Sequence, residues 1–249
     1  MNSSANKTIA WYDLGHAPYK PTWELQERLQ KKLIDEKIQA RTQPDIPRSP
    51  DYLLFVEHPH VYTLGKSGDA KHLLASDADL DNTNATFVKI DRGGDITYHG
   101  PGQIVGYPII DLDRHFTDIH KYLRYLEEII IRVCADFELE ATRIEKLTGV
   151  WVNGKKVCAM GIKCSRWVTM HGFALNVNTQ LEYFGQIVPC GITNRGVTSL
   201  KELTGNEVDT DFVKQRIIKH FSDLFEVDFL ALDALPVPFA PKESILAEK

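Results

Sequence analysis

Val150-Trp151-Val152-Asn153-Gly154-Lys155-Lys156-Val157-Cys158-Ala159-Met160-Gly161 is the stretch that decides the fold class. Apolar runs flank Asn-Gly, the dipeptide that best tolerates the two left-handed residues of a type I′ turn, so the stretch predicts an antiparallel hairpin. Working outward, Thr8–Asp13, Tyr52–Val56, Val61–Leu64, Phe87–Ile90, Ile104–Ile110 and Phe173–Val177 read as short strands, with Val61–Leu64 a neighbour of Tyr52–Val56. Helices fall between them. One runs from about Trp23, capped by Thr22, with Leu25, Leu29 and Leu33 on a stripe and Ile34 and Ile38 beside it. A second covers Ile119–Phe137, with Leu123, Leu126, Ile130 and Val133 on one face. A third carries Val213, Ile217, Phe221 and Leu224 behind a cap at Asp209 or Thr210. Hairpins with helices at irregular intervals do not make a strand–helix–strand alternation. The expected class is α+β, a mixed β-sheet flanked by helices. No linker composition appears, so residues 1–249 are read as one domain with an extended tail from about Pro236.

The chain carries 29 basic and 34 acidic residues, a formal net charge of −5, which argues against nucleic acid as a partner. No apolar run is long enough to span a bilayer, and Met1–Leu14 lacks the regions of a secretory signal, so a cytoplasmic location is expected. The four cysteines, Cys134, Cys158, Cys164 and Cys190, form no Cys-x-x-Cys pair and are expected to be reduced thiols. Gly65-Lys66-Ser67 lacks the earlier glycine of a P-loop, because position 60 is His60. Gly100, Gly102 and Gly106 miss the dinucleotide spacing by one and precede a strand. No His pair has metalloprotease spacing. Neither a metal nor a cofactor is expected.

Four segments carry residues suited to chemistry. Arg92-Gly93-Gly94-Asp95-Ile96-Thr97-Tyr98-His99-Gly100-Pro101-Gly102-Gln103 packs four glycines among side-chain donors and acceptors, which lets backbone approach a ligand closely. After the Asn-Gly turn, Lys155 and Lys156 must face opposite ways, so at most one enters a site, and the small Ala159 and Gly161 leave room beside the strand. His171-Gly172-Phe173-Ala174-Leu175-Asn176 reads as a strand entered through His171. Cys190 sits between Pro189 and Gly191 on a turn, unlike Cys134 in its helical pattern. Taken singly, the first segment is equally an elaborate loop, and the others read sooner as solvated turn lysines, a core strand and a buried thiol.

Together and in this order, they resemble the octanoyltransferase family, the lipoyl/octanoyl-carrier transferases of lipoate biosynthesis. Arg92–Gln103 matches R-G-G-x-x-T-Y-H-x-x-G-Q, Gly154–Gly161 matches G-K-K-[IV]-x-A-x-G, His171–Asn176 matches H-G-[FL]-A-L-N, and Pro189–Gly191 matches P-C-G. The resemblance spans about Trp11 to Leu200. Asp95 stands where glutamine is common and Cys158 where alanine is frequent.

The resemblance implies the fold of lipoate and biotin protein ligases and an octanoyl (or lipoyl) transfer from acyl carrier protein. The acceptor it implies is a lysine of lipoyl domains of 2-oxoacid dehydrogenases or of a glycine-cleavage carrier protein. It implies Cys190 as the acyl-bearing nucleophile and Lys156, not Lys155, as its partner. The substrate-binding residues it implies are Arg92, Gly93, Gly94, Asp95, Ile96, Thr97, Tyr98 and His99, then Ala159, Met160 and Gly161, then Gly172, Phe173 and Ala174. The Tyr98–His99 region is expected at the pocket entrance. Arg92, Arg143, Lys146 and Lys155 are candidates for docking an acidic carrier. The rival readings are an ATP-dependent lipoate–protein ligase, a cysteine thioester hydrolase and a non-catalytic carrier-binding protein.

Overall fold

The computed structural model describes residues 7–188 and 196–239. In chain order these form β1 (Thr8–His16), α1 (Tyr19–Gln39), β2 (Asp51–Glu57), β3 (Val61–Leu64), α2 (Asp77–Asn82), β4 (Thr86–Lys89), β5 (Ile96–His99) and β6 (Gln103–Ile109). Then come α3 (Ile119–Ala135), β7 (Ala141–Ile144), β8 (Leu147–Val152), β9 (Lys155–Ser165), β10 (Val168–Asn176), α4 (Leu200–Thr204), α5 (Thr210–Phe225) and β11 (Asp228–Ala231). The described strands make an eight-stranded sheet in the order β11-β1-β2-β6-β10-β9-β8-β7 and a three-stranded sheet in the order β4-β3-β5. β1 pairs in parallel with β2 and β11, and the large sheet from β2 to β7 is antiparallel. The fold is α+β, a mixed sheet with helices on its faces.

Both faces of the central strands of the large sheet are buried, and strand alternation sorts them. Leu53, Phe55, Ile104 and Leu175 pack with Leu126, Ile130 and Val133 of α3 and Val213, Ile217 and Phe221 of α5. Tyr52, Leu54, Val105 and Ala174 pack on the opposite face with Leu25, Leu29 and Leu33 of α1. No helix of the described residues is long and apolar enough to cross a membrane.

The Asn-Gly hairpin forms as read, with φ of 50° at Asn153 and 76° at Gly154. Several readings need correction. α1 begins one turn before Trp23, with Pro21 in its first turn, where a missing N–H costs nothing. Thr22 is therefore not the cap; its hydroxyl donates to Pro18 O at 2.8 Å. Ile38 lies off the stripe and is 40% exposed. β3 does not neighbour β2 but pairs with β4 and β5 in the small sheet. His171 lies inside β10, not at its start. That strand begins after a second two-residue turn, Arg166-Trp167, with φ of 50° and 64°.

Candidate active site

The two sheets and the Arg92–Asp95 loop position a cavity of about 450 Å³, within the usual size of small-molecule sites. Arg92, Gly93, Gly94, Asp95, Ile96, Thr97 and His99 line it, as do Ala159, Met160, Gly161, Gly172, Phe173 and Ala174. Lys156 also lines it, beside Trp151, Leu147 and Leu123. Much of the remaining wall is apolar: Val105, Ile162 and Phe184. Cys190 lies outside the described residues. Val188, shortly before it, donates its N–H to His72 O at 2.9 Å. Gly196, beyond the undescribed stretch, lines the cavity and accepts the N–H of Lys156 at 3.0 Å.

The hairpin sorts its two lysines as alternation requires. Lys155 Nζ pairs with Glu202 Oε1 at 2.8 Å on the surface, and Lys156 Nζ lies 4.8 Å from the Trp151 ring centroid. The latter distance is that of a cation–π contact.

Arg92 is 8% exposed, so it is not a docking group; its guanidinium donates to Thr63 O at 2.8 Å and Thr63 Oγ1 at 3.0 Å. From there a directed run of hydrogen bonds crosses the site. Burial holds the His99 imidazole well below its usual range, so the ring is neutral with one N–H. That N–H, on Nδ1, donates to Gln103 Oε1 at 2.8 Å, leaving Nε2 to accept from the Thr63 hydroxyl at 3.3 Å. Gln103 Nε2 donates to Asn176 Oδ1 at 2.9 Å, Asn176 Nδ2 donates to Thr198 O at 3.0 Å, and Thr198 N donates to Lys156 O at 2.9 Å. The first motif is thus tied through side chains to the backbone of Lys156.

Glycines here serve the packing of segments as much as room for a ligand. A Cβ on Gly161 would fall 2.8 Å from Gly93 O and 2.9 Å from Arg92 Cδ, so the space expected beside β9 at this position is filled by the Arg92–Gly93 loop. Asp95 reaches His72 Nδ1 at 2.6 Å, the same residue whose carbonyl holds Val188.

Tyr98 departs from the expectation. It is fully buried and does not line the cavity; its hydroxyl hydrogen-bonds with His60 Nδ1 at 2.7 Å, and its ring stacks on Tyr183 at 5.2 Å. It braces the Leu181–Gln186 turn rather than a pocket entrance. Of the other docking candidates, Arg143 pairs with Glu127 and Glu128, and Lys146 stays in solvent at the cavity rim. Cys134 and Cys158 are core thiols raised by burial, Cys134 to about 12, and so are poor nucleophiles. Reading the sequence missed Asp91, Lys163 and the buried Tyr19 and Tyr107, which carry no local motif.

A family model described as the lipoyl protein ligase A/B catalytic domain matches residues 18–222. An octanoyltransferase of Flavobacterium johnsoniae is 58% identical over 232 residues, 90% of this chain and 100% of that protein. One from Flavobacterium psychrophilum is 57% identical, covering 89% and 98%. The chain belongs to the octanoyltransferase family. As a member it is an acyltransferase. Its fold is also that of a bi-partite lipoate protein ligase from Thermoplasma acidophilum, with a TM-score of 0.66 at 16% identity over 91% of this chain and 87% of that one.

Proposed function

We propose that this chain moves an octanoyl group from the thioester of an acyl carrier protein to a lysine of a lipoyl domain, through an acyl-thioester on Cys190, in the cytoplasm. The observation that carries the reading is Lys156 on the wall of a largely apolar cavity that also gathers all three expected substrate segments. The 2-oxoacid dehydrogenases and a glycine-cleavage carrier protein are the proposed sources of the acceptor domain. The whole chain would act as one catalytic domain.

Thioester exchange onto Cys190 is nearly balanced in energy, and amide formation then runs downhill, so no nucleotide is required. The attacking sulfur must be a thiolate, which a nearby ammonium favours. In this scheme Lys156 gives its proton to the departing carrier thiol and, now neutral, takes one from the incoming lysine amine. Val105, Leu147 and Ile162 would hold the acyl chain, and the buried run from Arg92 to Thr198 would hold Lys156 in place.

Intact mass tests the reading. Wild type mixed with octanoyl carrier protein is expected to gain one octanoyl mass that hydroxylamine removes, and Cys190→Ser to gain none. An adduct that forms only with ATP would overturn it in favour of a ligase, a reading the octanoyltransferase relatives do not favour.

A further inference from the structure

Asp91 and Lys163 lie just outside two of the three cavity segments, and His171, which itself lines the cavity, opens the third. Asp91 precedes Arg92, Lys163 follows Gly161 by two residues, and His171 precedes Gly172. The fold brings them to one point. His171 Nε2–H donates to Asp91 Oδ1 at 3.0 Å, and Lys163 Nζ donates to Asp91 Oδ2 at 2.5 Å. A single carboxylate thereby joins the first-motif loop, β9 and β10. A backbone bond from Gly93 N to Ile162 O at 2.9 Å runs alongside.

The arrangement is specified from several sides. His171 has a φ of 58° in the middle of β10, a left-handed conformation that a side chain-bearing residue keeps only where its surroundings over-determine it. Its backbone N–H donates to Gln26 Oε1 of α1 at 2.9 Å, and its ring is 1% exposed. Burial lowers the imidazole below its usual range, against the opposing pull of Asp91, so the ring is neutral with its one proton directed at the carboxylate. The hydrogen bond from His171 in turn holds the Asp91 carboxyl well below the usual carboxylate range.

We infer that Asp91 is a positioning residue which, through Lys163 and His171, fixes the spacing of the three cavity walls and so the acyl-chain length the enzyme selects. The inference rests on the acyl-transfer reading. Neither Asp91 nor Lys163 lines the cavity, so they act through the segments they hold. An apolar pocket separates ligands differing by one methylene by roughly 10- to 200-fold. A small slip between loop and strand is enough to spoil such discrimination.

The experiment measures kcat and KM for hexanoyl, octanoyl, decanoyl and dodecanoyl carrier protein in wild type, Asp91→Asn, Lys163→Met and the double variant. Asp91→Asn is expected to lower the octanoyl-over-dodecanoyl ratio of kcat/KM about tenfold, chiefly through KM. Lys163→Met should act in the same direction but less, and the double variant no further than Asp91→Asn, because both work through one carboxylate. An unchanged ratio in folded Asp91→Asn overturns the inference. If that variant does not fold, Lys163→Met carries the test, its side chain being 26% exposed, and an unchanged ratio there is equally fatal. Wild type that transfers no octanoyl group would sink the transferase reading separately. The same variants would then be scored by calorimetric binding of free fatty acids of graded length, where unaltered selectivity again overturns the role.

Discussion

Lys155 and Lys156, adjacent in sequence, end on opposite sides of the β8–β9 hairpin, one against Glu202 in solvent and the other over Trp151 at the cavity wall. In the proposed mechanism only one of them, Lys156, can reach the cavity as the partner of Cys190. Lys155→Ala should leave transfer within a factor of about three, because an exposed ion pair is worth roughly 0–1 kcal/mol. Lys156→Ala should lower kcat by about 10²- to 10⁴-fold, the contribution of a general acid–base group. Steady-state transfer from octanoyl carrier protein measures both, and equal losses would discard the assignment.

Where local chemistry specified structure, the sequence was readable. Asn153-Gly154 announced its hairpin because both residues accept positive φ. Arg166-Trp167 makes the same turn without any such signal. It is held from a distance, by Leu112 N–H on Trp167 O and Lys37 Nζ on Arg166 O. The partners of β3 and β11 are chosen by the whole fold and leave no local signal: β3 pairs with β4 and β5, and β11 pairs with β1 from the other end of the chain. In the site, the motif blocks were legible through their resemblance to a family. Asp91 and Lys163 were not, since each lies just outside a block and only folding makes them neighbours.

Tyr98 sits in the first motif, but its role is to brace. Its hydroxyl meets His60, and its ring contacts Tyr62, Tyr183 and Phe184. Tyr98→Phe removes one hydrogen bond and should cost about 1 kcal/mol of stability, with kcat/KM nearly unchanged. Tyr98→Ala empties a buried aromatic site and should cost about 3–5 kcal/mol. Urea unfolding alongside the transfer assay separates the cases. A large rise in KM for Tyr98→Phe without loss of stability would return Tyr98 to the pocket wall.

Gly161 bears the Arg92–Gly93 loop directly. Gly161→Ala would press its methyl on Gly93 O, a backbone atom that cannot retreat without loosening the Gly93 N–H bond to Ile162 O. A loss of about 1–3 kcal/mol is expected, together with a raised KM for the octanoyl donor. Gly185→Ala is the control, because nothing lies within 4 Å of its added carbon, and it should stay within about 0.5 kcal/mol. Thermal unfolding compares the two, and equal shifts would refute the close approach.

His58 makes stability depend on pH. It is fully buried, with Nδ1–H donating to Ala17 O at 2.7 Å and Nε2 accepting from the Tyr107 hydroxyl at 2.8 Å. The bond accepted at Nε2 requires the neutral ring, and burial, against the opposing pull of the bond to Ala17 O, lowers its pKa from 6.5 to about 4. The unfolded chain therefore binds a proton that the native protein refuses, over the window between these two values. Stability is full above the unfolded pKa, falls as pH drops through that window, and levels off below about 4. The whole span is worth roughly 3 kcal/mol, of which about 2 kcal/mol is gone by about pH 5. Burial shifts His99, whose ring lies 5.9 Å from that of His58, in the same direction and steepens the fall. Urea denaturation at about pH 7 and about pH 5 should show the loss. His58→Gln should flatten the slope, since its amide does not titrate, and an unaltered slope would assign the effect to other groups.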